Sequence, residues 1–198
     1  PPPAVRNGSL RHSRMLGFLH LLGRCERGTL MVEFAMIVPV LTLLLVGGIE
    51  IGRFVLVEQK MSRAAVTLAD LVAQSPALAA GDFDNLFQAA GDVTDPFEFE
   101  TRGRVIVSSV SASGGAPATV DWQQAGGGAL IASSQIGLPG NPAILPSEMI
   151  VRDGENLIVA EVFFDYDAFF ADPYITDQIL YRRAFFRPRL SDLSVLAP

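Results

Sequence analysis

The chain has 198 residues, 49% of them hydrophobic, and a formal net charge of −6. That length holds one modest globular core plus a membrane or tail segment, and the apolar excess is high for a domain lying wholly in water. Five of the fifteen basic residues but only one of the twenty-one acidic ones lie in the first 28 positions, which leaves the rest near −10 and argues against a nucleic-acid-binding body.

Residues 1 to 28 combine Pro1-Pro2-Pro3, Arg6, Arg11, Arg14, Arg24 and Arg27, and an apolar patch from Leu16 to Leu22 that is too short to span a bilayer. They read as a basic leader. The single cysteine, Cys25, excludes an intramolecular disulfide, a thiol-redox pair and a cysteine zinc site. Leu22-Gly23-Arg24 before it does not form a lipoprotein cleavage site, which needs a small residue where Arg24 stands. Both histidines, His12 and His20, also sit in this arm, so neither a histidine triad nor a histidine-ligated metal is expected in the rest of the chain.

From Phe34 to Ile49 run sixteen residues without a charge, and apolar character continues past Glu50 and Arg53 to Val57. A hydrocarbon core of about 30 Å needs roughly 20 residues of helix, a length reached once Arg53 extends its head toward the interface. No small-x-small cleavage site follows, so the segment reads as a retained anchor. Arginines before it and acidity after it place the N-terminus in the cytoplasm and the bulk outside. Pro39 predicts a kink, Gly47, Gly48 and Gly52 predict a notch that admits a neighbouring helix, and Glu50 is placed to pair with Arg53 one turn on or with a neighbouring subunit.

Helical periodicity continues beyond the apolar run. Phe54, Val57, Met61, Ala64 or Ala65, Leu68 and Leu71 recur at three- and four-residue steps, with Glu58, Lys60, Arg63 and Asp70 between them. One helix is predicted from Thr29 to Gln74, roughly 70 Å long at about 1.5 Å per residue, ended by Ser75-Pro76. Its second half therefore needs a surface to lie on.

A shorter helix is predicted at Asp82 to Ala90. Arg104 to Ser111 and Ala118 to Gln124, joined through Gly114-Gly115, read as a hairpin. A second hairpin is predicted around Asp153-Gly154, pairing Glu148 to Arg152 with Asn156 to Tyr166, and Gln178 to Arg187 supplies a further strand. Gly126 to Pro146 has loop composition and too little apolar content for a core of its own. No internal repeat is visible.

Glu161, Asp165, Asp167 and Asp172 raise the question of a shared cation or proton, but they lack a calcium-loop spacing and read as a solvated strand edge. Ser109-x-Ser111 lacks the upstream aspartate of a metal-dependent adhesion site. Trp122, Phe163, Phe164, Phe169, Phe170, Phe185 and Phe186 read as core, each doublet putting one ring on either face of its strand. No metal site, no cofactor and no catalytic set are expected.

The residues before the apolar run are R-G-T-L-M-V-E-F, with Glu33 five positions after Gly28. This pattern resembles the processing site of type IV prepilins. The resemblance implies that a membrane peptidase cuts after Gly28 on the cytoplasmic side, making Thr29 the new N-terminus and Glu33 the fifth mature residue. A carboxylate at the edge of an apolar helix is costly unless a positive group meets it, and the new α-amine is such a group. The bland alternative makes Glu33 a helix-start acid favoured by the macrodipole.

More narrowly, Val32-Glu33-Phe34-Ala35, Pro39 and Gly48-x-Glu50-x-Gly52-Arg53 resemble the TadE/TadG-like family of tight-adherence (Flp-type) pilus assembly proteins. Ala69 to Ser75, the strand carrying Glu161 to Tyr166, and Phe186-Arg187-Pro188-Arg189 are similar to the rest of that pattern. The resemblance implies a minor pilin or pseudopilin in the bacterial inner membrane, with prepilin peptidase, other pilin-like subunits and the pilus secretion platform as partners. The rival reading is an uncleaved bitopic envelope protein whose outer domain binds a ligand or an assembly partner.

The expected class is thus α+β: a long N-terminal helix, half transmembrane and half amphipathic, packed on a small antiparallel sheet as in pilins. The expected divisions are a leader at 1–28, the helix at 29–75 and an extracytoplasmic domain at 76–198.

Overall fold

The computed structural model describes residues 26–168 and 178–197. The expectations placed on Arg6 to Cys25, including His12 and His20, and on Phe169, Phe170 and Asp172 lie outside the described residues. The chain forms two compact units, Pro1–Ile49 and Glu50–Pro198.

Helix α1 (Glu26–Ala73) is a single 48-residue element. It takes in the predicted start at Thr29 and ends one residue before the predicted end. Pro39 lies inside without breaking it, and the Thr42 hydroxyl donates to the Val38 carbonyl at 2.8 Å beside the proline. From Leu30 to Leu45 its large apolar side chains are exposed, and α1 is long and apolar enough to cross a membrane. At its end the Gln74 N–H closes on Asp70 O and the Ser75 hydroxyl donates to Leu71 O, before Pro76 forbids another turn.

In the second unit the stripe of α1 is buried as its period requires: Val57, Met61, Ala64, Ala65 and Leu68 are almost fully enclosed. Leu71, expected on that stripe, is 41% exposed. At about 100° per residue the stripe passes instead through Ala69 and Val72, which small alanines let approach the sheet closely.

The sheet has four antiparallel strands, β1 (Gly103–Ser111), β2 (Thr119–Gly126), β3 (Asn156–Tyr166) and β4 (Gln178–Phe186), in the order β2-β1-β3-β4. The β1–β2 hairpin turns through Gly114 and Gly115, whose φ angles of 66° and 73° lie where side-chain-bearing residues are strained. A bulge shifts the register between Ser109 and Val110, a feature the alternation did not disclose.

The second predicted hairpin is absent. Glu148 to Arg152 is not a strand, and the Asp153-Gly154 turn is tied to the end of β1, Gly154 N–H donating to Ala112 O at 2.8 Å. The reason lies in β3 itself. Leu157 to Phe164 is buried without interruption, so β3 is covered on both faces and takes the inner position between β1 and β4.

The outer half of α1 and helix α2 (Asp82–Thr94) cover one face of the sheet. Val57, Met61, Leu68 and Phe83 form one core there with Val105, Val107, Ile158, Ala160 and Val162. The opposite face is covered by the 127–155 connection, whose stretch to Pro146 was expected to make no core of its own. It inserts Ile136 among Val110, Val120, Leu157 and Val159. The start of that connection presses on β1 so closely that a Cβ on Gly128 would sit 2.2 Å from Gly103 O, which fixes glycine there on steric grounds alone.

A one-turn helix, α3 (Phe99–Arg102), leads into β1 and stacks Phe99 on Phe164 with ring centroids 6.3 Å apart. After β4 the C-terminal segment returns over the core: Arg189 N–H donates to Ala73 O, and Trp122 Nε1 donates to Leu193 O at 2.6 Å. Neither feature has a sequence signal, because both are set by partners distant along the chain.

Candidate functional site

Gly28, Thr29 and Glu33 all lie on α1 and are exposed. The helix already includes Glu26, so in the uncut chain Glu33 is at least about two turns in, beyond the first turn where the macrodipole acts on an acid. Its neighbours Met31, Phe34, Met36 and Ile37 are exposed apolar side chains. Farther along, a Cβ on Gly47, Gly48 or Gly52 would meet nothing within 4 Å, so the glycine notch is open.

Where the apolar run ends, Glu50 accepts a hydrogen bond from the Tyr166 hydroxyl at 2.7 Å, and the Phe54 ring meets the Tyr166 ring edge-on at 5.3 Å between centroids. The end of β3 is thereby fastened to α1. Further ties follow along the helix: Arg182 pairs with Glu58, Lys60 Nζ donates to the Val93 carbonyl at 3.3 Å, and Arg189 pairs with Asp70 at 3.6 Å. Tyr166 was not singled out from sequence, since only the fold brings it to Glu50.

Burial, then the bond to Glu50 and its charge, pushes the Tyr166 phenol up to about 12 from its usual 10. A raised phenol favours the neutral form in the folded protein. Its contribution to stability is complete below the unfolded value near 10 and is lost as pH rises toward 12. Tyrosinate absorbance of the full chain should therefore show a late component near pH 12 that disappears in Tyr166→Phe; a titration unchanged by that substitution would contradict the contact.

The carboxylates expected at a solvated edge divide into two groups. Glu161 is fully buried, which corrects that expectation. It accepts hydrogen bonds from the Ser134 hydroxyl, from Gln135 N–H at 2.9 Å and from the Tyr181 hydroxyl at 2.8 Å. Burial first, and then the charge of Glu161, raises the Tyr181 phenol. The period-2 reading could not foresee this, because an acid on the second face of a sheet is solvated unless a loop covers it. Asp165 and Asp167 are partly exposed as expected, but they lie at and just beyond the end of the inner strand β3 and not on an edge, facing Arg102 at 3.7 Å and 3.1 Å.

Ser109 and Ser111 both donate to the Asp121 carboxylate, at 3.0 Å and 2.6 Å, and Asn156 donates to the Ser109 oxygen at 2.7 Å. The aspartate is thus supplied from β2, where it satisfies buried hydroxyls beside the bulge. Among the described residues no three His, Cys, Asp or Glu side chains are gathered to hold a metal ion.

Residues 28–70 match the family model described as TadE-like protein, a family associated with tight-adherence pili. The match covers the apolar run and most of the amphipathic half of α1, including Val32 to Ala35, Pro39 and Gly48 to Arg53, on which the sequence resemblance rests. No curated protein matches the chain. No solved structure matches it either.

Proposed function

We propose that this chain, whose residues 28–70 carry the TadE-like signature, is a minor pilin or pseudopilin that takes part in assembling a Flp-type tight-adherence pilus. In this reading α1 holds it in the bacterial inner membrane with the N-terminus in the cytoplasm and the sheet outside. Prepilin peptidase cuts between Gly28 and Thr29, and the secretion platform and other pilin-like subunits receive the product. It does no chemistry of its own and needs no cofactor.

The observation that carries the reading is Glu33 on a helix whose surroundings are apolar and exposed. In the uncut helix its acid lies beyond the reach of the macrodipole. Cleavage after Gly28 makes Glu33 the fifth residue and creates a positive terminus at the same membrane depth, which offsets the cost of a carboxylate there. The open notch at Gly48 and Gly52 and the kink residue Pro39 then serve packing between helices.

The test is N-terminal sequencing or intact mass of the protein from host membranes with and without the peptidase. The expected mature start is Thr29. Retention of Arg24 through Gly28 in the presence of the enzyme would overturn the proposal and leave an uncleaved anchored protein.

A further inference from the structure

The sheet has two edges, and the chain treats them differently. The β2 edge is covered at Val120, whose N–H donates to Asn141 O and whose carbonyl accepts from Gly140 N–H. No backbone hydrogen bond reaches the outer side of β4 among the described residues. Along β4, Tyr181, Arg183 and Phe185 share one face, and the Arg183 guanidinium lies 5.9 Å and 5.4 Å from the two ring centroids. Ile179, in the same row, is 54% exposed. An exposed arginine held over aromatic rings is the composition that anchors protein interfaces.

This edge is basic. From Gln178 to Leu190 the chain carries Arg182, Arg183, Arg187 and Arg189 and no acid. Arg182, Arg187 and Arg189 have exposed or half-exposed partners in Glu58, Glu155 and Asp70, and such pairs exchange at little cost, whereas Arg183 has no salt bridge among the described residues. Two β4 edges would therefore repel each other, which argues against edge-to-edge pairing.

The complementary surface lies on the same molecule. From Asp82 to Glu100 the chain carries six acids and no base, and Asp84, Asp92, Asp95, Glu98 and Glu100 are exposed. None of these takes part in a salt bridge among the described residues. Helix α2 rests on β2, with Phe83 against Trp122 at 5.5 Å, so it is separated from β4 by three strand spacings of about 4.8 Å.

We propose that the β4 edge of one copy docks on the acidic α2–α3 face of a second copy. The two surfaces differ, so the contact is heterologous and extends into a row of copies instead of closing as a two-fold dimer. The inference rests on the reading of this chain as an assembling subunit, but not on cleavage at Gly28, because both surfaces lie in the Glu50–Pro198 unit.

The test uses the full-length protein in membranes with Cys25→Ser. Copies carrying Arg183→Cys, co-expressed with copies carrying Asp92→Cys or Glu98→Cys, should form disulfide-linked dimers on mild oxidation, and Arg183→Cys alone should form none. In mild detergent, Arg183→Glu should lower co-purification of differently tagged copies at least tenfold, and Asp92→Arg with Glu98→Arg in the partner should restore it. Self-linking of Arg183→Cys, absence of mixed dimers, or failure of the charge exchange would each overturn the contact. Reading intact mass beside the cross-linking in a host that has prepilin peptidase separates the two readings: an intact leader there beside correct mixed dimers sinks only the processing step, and correct processing without mixed dimers sinks only this contact.

Discussion

Replacing Glu161 with alanine is expected to destabilise the Glu50–Pro198 unit by about 3 kcal/mol, a large share of the stability of a domain this size. Three donors converge on the buried carboxylate: the Ser134 hydroxyl, Gln135 N–H and the Tyr181 hydroxyl. Removing the acceptor leaves three donors at a partly buried site without it, at roughly 1–3 kcal/mol for each that finds no substitute, and also empties the volume of a fully buried side chain. Glu161→Gln keeps the volume and one acceptor oxygen, so its cost should be smaller, about 1–2 kcal/mol.

The change should also have an address. Glu161 fastens the 134–136 segment onto the sheet, so amide exchange at Gln135 and Ile136 should accelerate before that of Val107 or Ala160 in the opposite core. Asp167→Ala serves as control, because its pair with Arg102 is exposed and worth under about 1 kcal/mol. Urea unfolding of the purified chain measures both. Equal losses for the two variants would show that the buried acid does not hold the loop.

The second large effect is expected at Glu33. On the proposed reading, Glu33→Ala should reduce assembled pili at least tenfold while cleavage after Gly28 continues and α1 stays helical. The substitution removes no packing partner among the described residues, since the surrounding Met31, Phe34 and Ile37 are themselves exposed, so the defect is expected between subunits. The physical cause is the new α-amine of a neighbour, left in an apolar setting without its counter-charge. Glu33→Gln should fail almost as fully, because an amide cannot balance an ammonium group. Normal piliation in either variant, with processing confirmed by mass, would confine Glu33 to a local role in its own helix.

Some elements were legible because their signals are local. The uncharged run from Phe34 to Ile49, the three- and four-residue steps from Val57 to Leu68 and the stop at Ser75-Pro76 together specify α1 within a few residues. The Gly114-Gly115 turn and the alternation in β1 specify the first hairpin. The Asp153-Gly154 turn carried an equally good local signal and misled, because β3, apolar on both faces, gains more by sitting between β1 and β4 than by pairing with the polar Glu148 to Arg152.

What the sequence by itself determined is therefore the apolar run long enough to cross a membrane, the amphipathic continuation of its helix, the α+β class and the Gly28-to-Glu33 pattern, since each depends on composition and period within one stretch of chain. Only the tertiary structure decided that Glu161 is buried, that Tyr166 meets Glu50, that Asp121 serves Ser109 and Ser111, and that the arginine-bearing β4 and the strand β2 under acidic α2 are the two edges of the sheet. The physical reason is the same in each case. Hydrophobic period records which side of an element avoids water, but the partner of a polar group is set by which distant segment covers it, and a strand carries no mark of which segment that will be.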